Sequence, residues 1–318
     1  MAGVAVIEPL TLRAQPLPKL RRVGSLSIAS QAATAPFYDA FKDGMRELGW
    51  VEGQNVSYRF LFADGQVERL DALAGELLAQ GAEVIVVGPP QAARALQKAT
   101  TTVPIVMANV SNAVGNRFIA SLARPGGNIT GITAQNEVVL GKLIELLHVA
   151  VPAAQRIAVM VNESNPSHRA FWQAAQSACV SLDPVPLRVV ASAPDQLEAA
   201  VATALRERAQ AIVVVADAMY LTERVRLAAF VRAARLPAAY GLREHVVEHG
   251  LLSYAADIAR NYRDAATYVD KILKGAQPAN LPMAQPTRYE LVVNLKTAKA
   301  LGITMPRSLL LRADEVIQ

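Results

Sequence analysis

From Arg22 onward, short runs of apolar and β-branched residues alternate with segments whose apolar residues recur every three or four positions. The segments 35–49 and 67–81 show this helical spacing, and each ends in a glycine where a helix C-cap belongs. The short runs read "RVGSLSI", "NVSYRFLF", "AEVIVVG", "PIVMAN" and "NITGIT". Uninterrupted apolar strands that alternate with helices indicate parallel sheets covered on both faces.

The alternation restarts after a predicted helix over 137–149, with the strands "RIAVMVN", "LRVVAS", "QAIVVVAD", "PAAYG" and "LLSYAA". We therefore expect an α/β protein with two doubly wound, Rossmann-like lobes of parallel strands. The candidate linkers are 135–136, 250–253 and 275–287, which predicts a hinge with three crossovers. The predicted assignment is a leader or disordered arm over 1–21, a first lobe over 22–134 plus 253–286, and a second lobe over 135–252 plus 287–318.

The carboxyl ends of the predicted strands are rich in amides, hydroxyls and glycines. In open parallel sheets ligands bind beyond these ends, and such groups hydrogen-bond a small polar molecule without reacting with it. The candidate ligand-binding residues are Ser30, Gln31, Gly88, Pro89, Gln91, Asn109, Ser111, Asn112, Asn162, Asn165, Asp217, Tyr220, Tyr240, Tyr254 and Asp257. No catalytic residue and no metal ligand is expected among them.

If the ligand is an amino acid, its two charged groups should bind different members of this set. Its ammonium group needs a carboxylate, for which Asp217 is the first candidate and Asp257 the second. Both also fit helix N-caps. Ser111, Asn112 and the backbone amides after Pro89 suit the ligand carboxylate. The three tyrosines would either stack on the ligand side chain or pack in the core.

Composition removes several alternatives. The 318 residues carry 32 basic and 27 acidic side chains, a formal net charge of +5, and the basic residues are dispersed. Dispersed charge favours solvated surface over a nucleic-acid interface. No apolar run reaches the ~18 residues of a membrane-spanning helix. The single cysteine, Cys179, rules out an intramolecular disulfide and is expected to pack on a helix face.

Enzyme signatures are scarce. The sequence contains no dinucleotide-binding Gly-x-Gly-x-x-Gly after the first strand, no phosphate-binding loop and no Gly-x-Ser-x-Gly elbow. One motif, "HVVEH" at 245–249, could place His245 and His249 on one helix face around zinc, with Glu248 activating water. The alternative is a short polar helix without metal. His168, at a predicted helix start, is expected to be exposed.

The first residues, "MAGVAVIEPLTLRAQPLPKL", only partly fit an export signal. "LRAQP" resembles its small-residue end, but no basic region precedes the apolar stretch, and Glu8 interrupts that stretch early. An exported protein with an incomplete signal is the expectation.

Taken in order, "ELGWVEGQNVSYRF", "SLARPGGNITGIT", "RIAVMVNESNP" and "YVDKILKGAQPANLPMAQPTRYELVVNLKTAKALGITMPRSLLLRADEVIQ" form a characteristic set. With the segment 71–110 they resemble the ABC-transporter substrate-binding family that includes tryptophan- and phenylalanine-binding lipoproteins. The resemblance implies the type I periplasmic-binding fold, in which two lobes close on a ligand. It implies cleft walls from 88–93 and 108–115 in the first lobe and from 162–167 and 216–220 in the second, with 253–257 returning to the first lobe.

The resemblance also implies a function: a periplasmic solute-binding protein that delivers an amino-acid-like ligand to ABC transporter permease subunits. It implies no enzyme activity, no cofactor, no metal and no nucleic acid, and a monomer. The sequence departs from the family at Pro90-Gln91, where small residues are usual. Two alternatives stay open: a metal-dependent enzyme using the 245–249 motif, and the ligand-sensing module of a regulator. The lack of a DNA-binding pattern before Val23 disfavours the second.

Overall fold

The computed structural model describes residues 20–318. The predicted leader and its incomplete export signal therefore lie almost wholly outside the described residues. Within 20–318, no helix has both the length and the apolar character needed to cross a bilayer. The described chain forms two sheets, one of five strands and one of seven, with helices packed against them.

The first lobe is built on the five-stranded sheet. Its strands are β1 (Arg21–Ser27), β2 (Val56–Phe62), β3 (Val84–Val87), β4 (Ile105–Val110) and β5 (Ile129–Thr133). They pair in the order β2-β1-β3-β4-β5, and every pair is parallel. The connecting helices are α1 (Gln31–Glu47), α2 (Leu70–Ala79) and α3 (Pro90–Ala99).

The second lobe begins with α4 (Asn136–Ala150). Its next strands are β6 (Arg156–Val161), β7 (Val185–Val190), β8 (Ala211–Val214), β9 (Ala238–Tyr240) and β10 (Leu252–Ala256). The helices between them are α5 (His168–Leu182), α6 (Leu197–Arg206), α7 (Ala218–Thr222), α8 (Arg224–Ala233) and α9 (Glu244–Val247). The predicted parallel α/β class is confirmed for these elements, and Cys179 packs in the core of this lobe as expected.

The chain returns to the first lobe at helix α10 (Ile258–Leu273), which packs along α1. The sequence placed this return at residue 253, but β10 pairs with β9 in the second sheet. Residues 253–256 therefore belong to the second lobe, because the apolar run "LSYAA" completes a sheet before the chain crosses.

The last segment enlarges the second sheet. It contains β11 (Tyr289–Asn294), α11 (Leu295–Leu301), α12 (Arg307–Leu310) and β12 (Glu315–Ile317), and the sheet order is β12-β11-β10-β9-β8-β6-β7. β11 runs antiparallel to β10. The second sheet is therefore mixed, whereas the sequence predicted parallel strands only. A parallel neighbour of β10 would need a crossover connection packed on this sheet, but the chain reaches β11 directly from the first lobe. Antiparallel strands added to an otherwise parallel sheet are common in α/β folds.

The uninterrupted apolar character of β3 follows from its two buried faces. Ile85 and Val87 pack in a cluster with residues of α2 and α3. Val84 and Val86 pack on the opposite face with residues of α1 and α10. A central parallel strand must be apolar at every position for this reason.

Gly44 allows the close contact between α1 and α10. A Cβ atom built on Gly44 would lie 2.6 Å from the backbone oxygen of Arg263 and 3.0 Å from the Cβ of Ala266. The nearer of these atoms is backbone and cannot turn aside. Any larger side chain at this position must push the two helices apart.

We expect Gly44→Ala to lower the free energy of unfolding by about 1–3 kcal/mol, the usual cost of overpacking a close contact. The matched control is Gly75→Ala in α2, where an added Cβ would meet no atom within 4 Å. That variant should gain about 0.5–1 kcal/mol, because alanine restricts the unfolded chain. Urea unfolding followed by circular dichroism measures both, and a Gly44→Ala protein as stable as wild type would contradict the contact.

Candidate functional site: the cleft between the lobes

A cavity lies between the two lobes, beyond the carboxyl ends of β1, β3 and β4 on one side and of β6 and β8 on the other. It encloses about 570 Å³ of space not filled by protein atoms, part of it open to solvent. Both lobes contribute to its walls, so a ligand held here would touch both.

Hydrogen bonds join the lobes across this cleft. The Asn116 side chain donates to the Ser167 hydroxyl at 2.9 Å, and that hydroxyl donates to the Ser111 carbonyl at 3.1 Å. On the other side of the cavity the Ser30 N–H donates to the Thr222 hydroxyl at 3.2 Å. These contacts show the lobes in a closed arrangement.

The smaller part of the cavity wall is polar. It comprises hydroxyl and amide side chains from both lobes and one acid: Ser27, Thr34, Asn109, Ser111, Asn136, Asn165, Ser167 and Asp217. Asp217 is the only charged side chain among the described residues that line the cavity. The Asp217 side chain itself is 0% exposed in this closed arrangement, because the donors around it shield the carboxylate from solvent.

Asp217 is held in one orientation. Its Oδ1 accepts from the Asn162 side chain at 3.1 Å and from the Met219 N–H at 2.9 Å. Its Oδ2 accepts from the Asn165 side chain at 2.8 Å. The residue is 4% exposed and caps α7. A buried carboxylate needs such donors, because burial without them costs several kcal/mol.

His168 lies behind the Asp217 carboxylate. Its Nδ1 accepts from the Asn162 N–H at 2.8 Å, so the ring proton is on Nε2. Nε2 lies 3.3 Å from the Ala216 carbonyl oxygen and 3.4 Å from Asp217 Oδ2. Burial lowers the pKa of His168, an effect that Asp217 opposes. We assign a neutral ring, which leaves the negative charge of Asp217 uncancelled. The expectation that His168 is exposed is wrong, since it is 3% exposed.

The larger part of the cavity wall is apolar and partly aromatic. Its large side chains are Phe37, Phe171, Leu221, Leu242, Ile258 and Tyr262. Phe37 and Tyr262 stack with ring centroids 5.7 Å apart. Gly88 leaves room for Tyr262, because a Cβ on Gly88 would overlap the Tyr262 hydroxyl. The cavity wall thus combines one acid and several hydrogen-bonding groups with apolar and aromatic surface.

A family model for ABC transporter substrate binding proteins matches residues 22–317. The chain belongs to this family. This substrate-binding protein is 27% identical over 139 residues to the tyrosine-binding protein of Clostridioides difficile (strain R20291). The match covers 42% of this chain and 40% of that protein, so it spans less than half the length of the relative.

Solved structures show the same fold. The substrate-binding protein superposes with TM-score 0.88 on the crystal structure of an ABC domain in complex with L-Trp from Streptococcus pneumonia, at 24% identity, covering 94% of this chain and 100% of that one. A conserved domain protein from Vibrio cholerae gives the same values. The ligand-free, open structure of CD0873 from Clostridium difficile gives TM-score 0.67 at 18% identity, covering 94% and 100%. These likenesses establish the type I periplasmic-binding fold with two lobes.

The structure brings six of the residues predicted from the sequence to the cavity. They are Gly88, Pro89, Asn109, Ser111, Asn165 and Asp217. All six lie at or beyond the carboxyl ends of strands, as the rule for parallel sheets requires: Asn109 belongs to the end of β4, and the other five follow strands. Their contact with a ligand stays a prediction.

The other predicted residues do not line the cavity. Ser30 and Asp257 accept backbone N–H groups as N-caps of α1 and α10, and Gln31 is exposed. Asn162 lies behind the cavity wall, where its side-chain amide donates to the Asp217 carboxylate. Asn112 lies in a left-handed turn with φ of 51°. Gln91 is 4% exposed, and its side-chain amide has no partner among the described residues.

The three predicted tyrosines also lie outside the cavity. The Tyr220 hydroxyl donates to the Ala191 carbonyl inside the second lobe at 2.9 Å. Tyr240 stacks on His245 with centroids 4.9 Å apart. Tyr254 pairs with Tyr289 at 5.9 Å and lines a separate small pocket behind Phe171. Their aromatic surface packs against protein, which is the alternative that the sequence left open.

Sequence reasoning missed the cavity residues that lie on helices. Thr34 and Phe37 belong to α1, and Tyr262 belongs to α10. Their spacing is that of core-facing residues, and the two aromatic residues pack in the core as well as lining the cavity. Their place in the sequence could have indicated them: α1 begins directly after the carboxyl end of β1, so residues in its first turns lie near the predicted ligand site.

The 245–249 motif does not form a metal site. α9 ends at Val247, so His249 does not share a helix face with His245. His245 is 1% exposed, and its Nε2 contacts the Tyr220 carbonyl oxygen at 3.1 Å. Glu248 lies 3.5 Å from Arg224. Within residues 20–318, no group of three or more His, Cys, Asp or Glu side chains could hold a metal ion.

Burial lowers the pKa of His245 from 6.5 to about 4. The unfolded chain therefore binds this proton more tightly, so the stabilisation present above pH 6.5 is lost as the pH falls. From pH 7 to pH 5 this loss amounts to about 2 kcal/mol. We expect His245→Gln, which keeps a donor but does not titrate, to remove about that much from the pH dependence of urea unfolding.

The matched control is His249→Gln, because His249 is exposed and folding does not remove it from water. Its unfolding free energy should fall with pH as in wild type. An unchanged pH dependence in His245→Gln would show that His245 does not cross from a charged to a neutral form on folding.

Proposed function

We propose that this protein binds an amino acid with an apolar, aromatic side chain in the cleft between its lobes, and delivers it to an ABC transporter permease. The observation that carries the proposal is that one cavity between the lobes is lined by a single buried carboxylate, by hydroxyl and amide groups, and by apolar and aromatic side chains. An amino acid of this class combines the groups that such a wall can bind.

The ammonium group is assigned to Asp217. A buried cation needs an opposite charge, and Asp217 supplies the only one on the cavity wall within the described residues. Because Asn162, Asn165 and Met219 fix the carboxylate beforehand, binding need not order it.

The ligand carboxylate is assigned to the first lobe. Pro89 is the N-cap of α3, a helix whose start lines the cavity. The positive end of a helix dipole favours an anion, and free backbone N–H groups in the first turn can donate to it. Hydroxyls of Ser27, Thr34 and Ser111 lie on the same wall.

The side chain of the ligand is assigned to the apolar and aromatic residues of the wall. Phe37 and Tyr262 offer a stacked pair, and Phe171 lines the cavity from the second lobe. The proposal gains support from the similarity to a tyrosine-binding protein and to a structure solved with L-Trp. We extend the ligand class of those proteins to this chain.

Delivery to a permease requires export and a closed form that the permease can recognise. Ligand contacts on both walls favour the closed form, because only a ligand that binds it more tightly can shift the equilibrium. We propose a periplasmic, monomeric protein that releases its ligand chemically unchanged. A metal-dependent enzyme has no support from the arrangement of His245, Glu248 and His249.

Isothermal titration of the purified protein with single amino acids tests the proposal. L-Trp, L-Tyr or L-Phe should bind with one site per chain, while L-Glu and L-Lys should give no measurable heat. Chromatography of the released ligand should recover it unchanged. No saturable binding by any amino acid, or conversion of the ligand, would refute the proposed function.

The charge assignment predicts a coupling between Asp217 and the ligand ammonium. Wild type should bind L-Phe at least ~10-fold more tightly than 3-phenylpropionate, which lacks the amine, since charged hydrogen bonds contribute about 1.5–3 kcal/mol. Asp217→Asn should abolish that preference. Asp257→Asn is the matched control, because Asp257 also caps a helix but does not line the cavity. An equal loss for both ligands in Asp217→Asn would mean that Asp217 only supports the loop.

A further inference from the structure

The second lobe contains another cavity, and none of its lining residues lines the cleft. It lies between α8 and α11, beside the starts of β9 and β10, and encloses about 930 Å³ of space not filled by atoms, part of it open to solvent. We call it the α8–α11 cavity. Nothing in the proposed amino-acid binding uses it.

Apolar side chains form the inner walls of the α8–α11 cavity. Val231 and Leu236 line it from α8 and the turn after it, Leu251 from the start of β10, and Leu301 from the end of α11. Val231, Leu236 and Leu251 are at most 5% exposed, so these walls are fixed by the core behind them. A ligand that enters would bury an apolar body.

The rim of the α8–α11 cavity is cationic. Arg232, Arg235 and Lys296 line it, and none of its lining residues within the described chain is acidic. These three side chains form no ion pair with a described residue, and Arg235 contacts only the Ala300 carbonyl, at 3.4 Å. Elsewhere many basic side chains are paired, for example Arg243 with Glu315 and Arg260 with Asp264. The rim therefore keeps its positive charge available.

A buried phenol adds a second feature. Tyr240 lines the α8–α11 cavity and is 1% exposed, yet its hydroxyl makes no hydrogen bond with any described residue. The oxygen is not sealed off by protein, so water hydrates it when the cavity holds no ligand. In contrast, the equally buried Tyr220 donates to a carbonyl. The Tyr240 hydroxyl is thus free for an acceptor within the cavity.

We propose that the α8–α11 cavity is a second ligand site, specific for a small amphipathic carboxylate of the medium-chain fatty-acid class. Its carboxylate binds Arg232, Arg235 and Lys296 at the rim, and its alkyl chain lies along the leucine and valine walls. The Tyr240 hydroxyl donates to the bound carboxylate. A phosphate or a nucleic acid would leave the apolar walls unused, and a neutral alcohol would leave the cations unused.

Titration of the full protein with decanoate, below its micelle concentration, tests this site. We expect one decanoate per chain, with decanol at least ~10-fold weaker because it lacks the charge. The double variant R232Q/K296Q should weaken decanoate binding by ~10-fold or more. Y240F should weaken it by ~3-fold or more while leaving the unfolding midpoint unchanged, because the hydroxyl has no protein partner to lose.

The matched control is R307Q/R312Q, which removes the same charge from exposed positions of the second lobe that do not line the cavity. It should bind decanoate as wild type does. Absence of saturable decanoate binding, equal affinity for decanol, or unchanged affinity in R232Q/K296Q would each overturn the proposal. Amino-acid titration of R232Q/K296Q should match wild type, so the outcome is independent of the cleft.

Discussion

The arrangement of the cleft depends on one buried negative charge. A carboxylate removed from water must be surrounded by donors, and Asp217 obtains them from the loop after β6 and from its own helix start. Asn162 and Asn165 therefore hold the loop after β6 against the loop after β8. Because His168 stays neutral, the donors orient the charge without cancelling it. The second lobe thus holds one carboxylate in a fixed orientation beside the cavity, shielded from solvent in the closed arrangement.

The first lobe contributes helix N-termini and aromatic side chains to the cavity. α1, α3 and α10 all begin near the cavity, since each follows a strand end or the crossover from the second lobe. α10 is covalently part of that crossover but packs on α1, so the first lobe gains Tyr262 and Ile258 from a segment far along the chain. The close approach of α1 and α10 at Gly44 places Phe37 and Tyr262 side by side.

The fold and six of the residues that line the cavity could be predicted from the sequence, for physical reasons. Apolar runs that stop abruptly mark strand ends, and parallel strands bring those ends together, which is why Gly88, Asn109 and Asp217 were found. Phe37, Leu242 and Tyr262 were not found, because a cavity wall that continues the core has the same apolar spacing as the core. The direction of β11 was also hidden, since "ELVVN" reads the same in a parallel or an antiparallel pair.

Two of the hydrogen bonds that join the lobes use main-chain atoms of the first lobe. The Ser111 carbonyl accepts from Ser167, and the Ser30 N–H donates to Thr222. Backbone groups are present whatever residue occupies the position. The side-chain half of each contact comes from the second lobe, from the Ser167 hydroxyl and the Thr222 hydroxyl. Of these two residues only Ser167 also lines the cavity. Most side chains around the cavity can therefore be exchanged in evolution without altering the contacts that hold the lobes together.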